Sequence, residues 1–222
     1  MTRPISEQLF ESFCESAGFP CIRLEESTEP GVRTPDFLWT LGDVQITVEV
    51  KQFDPNDDEI VAAAKLAVGE IVTFGGTPGH RLRGILSTAA SQLKSRTKLA
   101  TPGLLMLYDN TGPLGGHLDS YHIKTAMYGL EQVVFRQTPD GPTLSKCEDI
   151  RFGPKRKVSP DRNRALSAVG RLQQYGDRLY VDIFHNCFAA VPLEASLLRT
   201  AGVRHFRLAE KVPGEGQEWE EL

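Results

Sequence analysis

A chain of 222 residues with 40% hydrophobic and 24% charged residues is long enough to bury a sizeable core, as one domain or as a core with an extension. No apolar run approaches the roughly 18 residues of a membrane span, the N-terminal MTRPISEQLFES holds no apolar signal core that would direct export, and a net charge of −4 excludes a protein basic over its whole surface. Cys14, Cys21, Cys147 and Cys187 are scattered without CxxC spacing, which fits core thiols in a reducing cytoplasm better than a zinc site or a disulfide framework.

Ile5 to Ala17 predicts an amphipathic helix: Ile5, Leu9, Phe13 and Ala17 line up with Phe10 and Cys14, and Gly18 ends it. Glu7, Glu11 and Glu15 recur every four residues on its polar side. Phe19 to Leu24 predicts a short strand, and Glu25 to Thr34, with Pro30-Gly31 inside it and Arg33 near its end, predicts a loop.

Pro35 to Phe53 predicts a hairpin. Gly42-Asp43 is two-residue turn chemistry, with Gly at the first central position as a type II′ turn requires. Val44, Ile46, Val48 and Val50 alternate with Gln45, Thr47, Glu49 and Lys51, the period of a half-buried strand. Across that turn Leu41 faces Val44, Thr40 faces Gln45, and, continued outward, Asp36 faces Glu49, with Lys51 on the same face. Directly opposed like charges repel at such short range. Two carboxylates set in opposition beside an ammonium therefore suggest a bound cation, and hard oxygen ligands suit Mg²⁺ or Mn²⁺.

Asp54, Asn56, Asp57 and Asp58 suit the start of an Ala-rich helix. GGTPG, Gly75 to Gly79, reads as a loop and not as a phosphate cradle, since neither GKS nor GKT follows. His80 to Lys98 predicts a basic helix with Leu82, Ile85, Leu86, Ala89 and Leu93 on its buried side, and Gly103 to Asn110 a strand buried on both faces. His117, Asp119 and His122 have a spacing that invites a metal reading, but they fall in a Gly-rich loop entering a helix with no further ligand nearby. Gln132 to Gln137 predicts a strand and TPDGPT a turn.

Arg151 to Arg171 holds seven basic residues against Asp161 alone. Ser159-Pro160 predicts a helix start there, with Lys155, Arg156 and Lys157 before it and Arg162 and Arg164 in its first turn. In a chain acidic overall, this is the stretch suited to a phosphate backbone. Leu179 to Phe184 and Val203 to Leu208 predict two more strands, and EGQEWEEL a solvated, frayed tail.

Pro35-Asp36, followed after twelve residues by Glu49-Val50-Lys51 on a hydrophobic strand, resembles the motif of the PD-(D/E)xK nuclease superfamily, and the helix–strand order over residues 5–110 resembles its core. The resemblance implies an α/β fold with a restriction endonuclease-like core: a central mixed β-sheet flanked by helices, residues 1–110, with a C-terminal α+β extension, 111–222, packed on the same core. It implies that Asp36, Glu49 and the main-chain carbonyl of Val50 hold Mg²⁺ (or Mn²⁺), with Lys51 as the catalytic ammonium. It also implies an acidic residue on the first helix about three turns before its closing glycine, which Glu7 fits better than Glu11, and a ligand-orienting glutamine on the helix before the buried strand, which Gln92 fits. The implied activity is divalent-metal-dependent hydrolysis of phosphodiester bonds, as in a DNA endonuclease of a restriction, repair or mobile-element system, with RNA still open as substrate. Lys155, Arg156, Lys157, Arg162, Arg164 and Lys94 are then the phosphate-contacting residues, and a homodimer is the assembly the resemblance suggests for cutting two strands. The alternative is a non-catalytic module that keeps the fold and binds nucleic acid or protein.

Overall fold

The computed structural model describes residues 3–25, 34–73, 75–98, 100–137 and 144–222. The Pro30-Gly31 loop, Arg33 and the TPDGPT turn lie outside the described residues.

Helix α1 (Ile5–Ser16) buries the stripe that its spacing predicts: Phe10, Phe13 and Cys14 face inward. Strand β1 (Cys21–Arg23) follows, and then the hairpin of β2 (Phe37–Leu41) and β3 (Val44–Phe53). Its register pairs Leu41 with Val44, Thr40 with Gln45 and Phe37 with Val48, as the two-residue turn dictates. Gly42 has φ +59° and Asp43 does not share the left-handed backbone, which matches the type II′ expectation.

Helix α2 (Asp57–Ala67) begins with a capping box: Asn56 Oδ1 accepts from the Glu59 N–H at 2.9 Å, and Glu59 Oε2 accepts from the Asn56 N–H at 2.8 Å. Helix α3 (His80–Thr97) then crosses back to β4 (Gly103–Asp109), whose residues 103–107 are fully buried. Helix α4 (Ser120–Tyr128) leads to a separate two-stranded ribbon of β5 (Glu131–Gln137) and β6 (Leu144–Phe152). The chain rejoins the main sheet with β7 (Ala168–Tyr175), β8 (Arg178–His185), β9 (Val203–Leu208) and β10 (Trp219–Glu221).

The result is a mixed α/β architecture around one eight-stranded sheet, in the order β1-β2-β3-β4-β7-β8-β9-β10. The β1-β2-β3 end is antiparallel, and β3, β4 and β7 run parallel. Side chains alternate across β3 and β4. Val48, Val50, Leu104 and Met106 pack under α1 with Phe10, Phe13, Phe37 and Trp39. Phe53, Leu105 and Leu107 pack under α3 and α4 with Leu82, Leu86, Leu93 and Met127. Glu49 and Lys51, in phase with Phe53, therefore project from the α3 face. No helix among the described residues is long and apolar enough to cross a membrane.

Three expectations change. The stretch after Ser159-Pro160 is not helical: residues 153–167 form a loop in which Lys155 and Asn163 take positive φ and Ser159 bridges Arg162. Its backbone bonds to the end of α4, Val158 N–H to the Met127 carbonyl at 2.9 Å, and Asn163 Nδ2 ties back to the Lys157 carbonyl at 2.7 Å. These contacts with α4 and within the loop take the place of the intrahelical bonds a helix there would need. Of the four thiols only Cys14 is buried, and Cys187 is exposed.

The acidic end is not a frayed tail, because β10 pairs with β9 at the sheet edge. Trp219 packs on Phe184 and Tyr128, its Nε1 donates to the Ser120 carbonyl at 2.9 Å, and Glu218 meets the buried Lys124 ammonium at 3.0 Å. Trp219→Ala is expected to cost about 2 kcal/mol in urea unfolding, less than a fully buried Trp because the side chain is partly exposed. A variant as stable as the parent would mean that β10 adds nothing to the fold.

Candidate active site

The hairpin ladder ends at Phe37 and Val48. One pair further out the chain bends at Asp36, opposite Glu49, and the Asp36 side chain takes over from the missing strand: its Oδ2 accepts from the Val50 N–H at 2.7 Å. Thr47 donates the other way, to the Pro102 carbonyl at 3.0 Å, as alternation along a strand requires. The Val50 carbonyl shares the edge of its own N–H, so it opens beside Asp36, past the last pair of the ladder. Asp36 carboxylate, Glu49 carboxylate and Val50 carbonyl are thus brought together by one turn and one register.

Glu49 has no solvent exposure. The Lys51 ammonium, a third exposed, forms an ion pair with its Oε1. Gln92, nine-tenths buried on α3, stands beside the same carboxylate near enough to pull its pKa down, without meeting hydrogen-bond geometry. Among the described residues, Glu49 Oε2 has no hydrogen-bond partner, nor has Gln92 Oε1. Burial and then the charge of Asp36 push the Glu49 carboxyl up to about 7, and Lys51 and Gln92 only partly oppose this.

A buried carboxylate with an unsatisfied oxygen, facing a second acid, is a donor set that a hard divalent cation fits. Among the described residues no group of three or more His, Cys, Asp or Glu is gathered closely enough to hold an ion, so the acids here are a pair. Glu7 does not join that pair as a third ligand. It is on α1, which covers the other face of the sheet. The neighbouring Ser6 N–H donates to Gln52 Oε1 at 3.0 Å, and the Glu7 carboxylate is met by Arg23 at 2.9 Å and Arg3 at 3.5 Å.

Lys94, exposed on α3, lies two residues from Gln92. Lys155, Arg156, Arg162 and Arg164 are exposed on the loop that enters β7, and Lys157 is partly buried. In the sheet, β7 lies two strands from β3, about 10 Å across. His117, Asp119 and His122 do not converge on a metal: Asp119 Oδ1 caps α4 by accepting from the His122 N–H at 2.6 Å, and His122 Nδ1 bonds the Gly116 carbonyl at 2.8 Å.

One cluster escapes sequence reading. Glu59 in α2, Arg81 in α3 and His117 in the β4–α4 connection meet over Phe53. Arg81 donates to both Glu59 oxygens at 2.7 and 2.8 Å, and His117 Nε2 lies 2.8 Å from Glu59 Oε1. Burial alone would raise the Glu59 carboxyl, but the Asn56 amide, Arg81 and His117 together hold it below its ordinary value. The only advance signal was the capping-box spacing of Asn56 and Glu59, which says nothing of partners so distant in sequence. No known protein family, curated protein or solved structure matches the chain.

Proposed function

We propose that the protein is a divalent-metal-dependent nuclease of the PD-(D/E)xK type, with a restriction endonuclease-like core, that hydrolyses phosphodiester bonds in DNA. The observation that carries this reading is the buried, partly unsatisfied Glu49 carboxylate opposite Asp36 with Lys51 beside it. A fold has no stability reason to oppose two acids there.

Asp36, Glu49 and the Val50 carbonyl would hold Mg²⁺ or Mn²⁺. When bound, the ion supplies charge neutralisation at a phosphoryl oxygen and a water of lowered pKa. Asp36 also fixes the backbone of Val50 through its N–H, so ligand and strand edge keep one geometry. Gln92 stands beside Glu49 on α3 and is the group placed to align a water or phosphate oxygen. Lys51 carries a partly exposed positive charge at the rim, where it stabilises negative charge developing at phosphorus. Glu7, engaged by Arg3 and Arg23, takes no part in the pair. The exposed cations of residues 155–164 and Lys94 supply the electrostatic contact with the phosphate backbone that the pair lacks.

The test is incubation with supercoiled plasmid and with single-stranded DNA in Mg²⁺, Mn²⁺ or EDTA, beside Asp36→Asn. Nicking or cutting that needs the metal and is lost in the variant supports the reading. Metal-independent DNA binding without cleavage would instead favour the second reading, a binding module that uses the exposed 155–164 loop.

A further inference from the structure

A cavity of about 630 Å³ opens at the carboxyl ends of β3 and β4, between the first turns of α2 and α3. The crevice beyond the carboxyl ends of parallel strands is where such sheets bind ligands. Glu49, Lys51 and Phe53 follow one another on the same face of β3, and His117 and Arg81, which line the cavity, stand over Phe53, about 13 Å beyond Glu49. A nucleic-acid strand leaving the carboxylate pair along β3 covers that distance in about four nucleotides at duplex rise.

The lining suits a nucleobase better than a phosphate. Gly75, Gly76 and Gly115 offer bare backbone to a flat ring, and a Cβ at Gly75 or Gly76 would meet no described residue within 4 Å. Gly79 could not be replaced: its φ is +69°, and a Cβ would fall 2.7 Å from the His122 carbonyl oxygen. Pro78, Leu82 and Leu114 are apolar contacts.

The one guanidinium in the lining is already engaged. Arg81 is held by Glu59 and by the Asp54 carbonyl at 2.7 Å. With Asp58 and Glu59 in the same wall, the cavity has no net positive charge to attract a free phosphate. His117 stacks on Phe53, ring planes 12° apart, and remains about a quarter exposed. His122 donates its Nδ1–H to the Gly116 carbonyl, which in the neutral ring leaves Nε2 as an acceptor. Imidazole faces stack with unstacked bases, and acceptors read the amino and imino hydrogens of base edges.

We infer that this cavity receives one unstacked nucleotide of the DNA strand whose backbone lies at the Asp36–Glu49 pair. The identity of that strand rests on the nuclease reading; the pocket itself can be tested apart from it.

The full chain in EDTA, where metal-dependent cleavage is silent, is titrated with thymidine 5′-monophosphate, with a four-residue single-stranded oligodeoxynucleotide and with inorganic phosphate. The imidazole NMR signals of the five histidines are followed. His80, His117 and His122 line the cavity, whereas His185 and His205 pair with each other on β8 and β9 and report whether the fold is intact. The nucleotide and oligonucleotide are expected to shift His117 and His122 and leave His185 and His205 in place. Leu114→Trp, which fills the cavity, should weaken this binding at least tenfold with the His185 and His205 signals unchanged. An equal response to inorganic phosphate, shifts in all five histidines, or no shift at His117 and His122 would each overturn the inference. Plasmid cleavage without the cavity shifts would sink the pocket alone. Cavity shifts with no metal-dependent cleavage would support a nucleotide site and sink the nuclease reading.

Discussion

Lys51→Ala is expected to lower metal-dependent cleavage by at least ~10²–10³-fold, the size of effect seen when a single group stabilising transition-state charge is removed. Folding should survive it. Lys51 is one of the two groups that lower the Glu49 pKa, so without it the buried carboxyl takes up a proton at neutral pH rather than remaining an unpaired charge. The melting temperature of the metal-free protein should therefore change little, and any residual activity should move to higher pH, where Glu49 ionises. Full cleavage by this variant would end the nuclease assignment. Loss of cleavage together with loss of fold would show that Lys51 holds the hairpin together instead.

Glu49→Gln tests the same site through stability. Glu49 titrates near 7 in the folded protein, against an ordinary value of 4.5. The protonated form is the one the fold favours, so this group's contribution is fully present below pH 4.5 and is lost as pH rises through 7. At pH 8 the parent holds a buried carboxylate opposite Asp36. The neutral amide should raise the stability of the metal-free protein there by roughly 1–3 kcal/mol, with little gain at pH 4.5.

Divalent metal should act on the parent and hardly on the variant. Saturating Mg²⁺ or Mn²⁺ stabilises the parent, by about 2.7 kcal/mol at a hundredfold excess over Kd. Protection of the parent fades below pH 7 as protons compete for Glu49. The Gln variant should show little protection at any pH. Denaturant melts at pH 5 and 8, with metal or EDTA, read all of this. Equal protection of both proteins would place the ion elsewhere, and a Gln variant less stable at pH 8 would mean that the Lys51 ion pair outweighs the cost of the buried charge.

Local chemistry was legible without a structure because it acts over a few residues. The Gly42-Asp43 turn sets the hairpin register, and that register alone brings Asp36 opposite Glu49 and puts Lys51 on the same face. The stripes of α1 and α3 and the apolar run of β4 announced themselves by period and length, and Gln92 fell beside Glu49 because α3 packs its predicted buried side on that face of the sheet. Contacts between distant segments were not legible. The basic stretch looked like a helix from Ser159-Pro160, but backbone bonds to α4 hold it as a loop, and the acidic end became β10 once Lys124 and the Tyr128–Phe184 surface lay beneath it. The ion pairs of Arg3 and Arg23 with Glu7 were equally invisible from spacing. So was the cavity, whose walls come from α2, α3 and the β4–α4 connection. Propensity and turn chemistry are properties of neighbouring residues, whereas burial, ion pairing and cavities depend on which remote surfaces the completed sheet brings together.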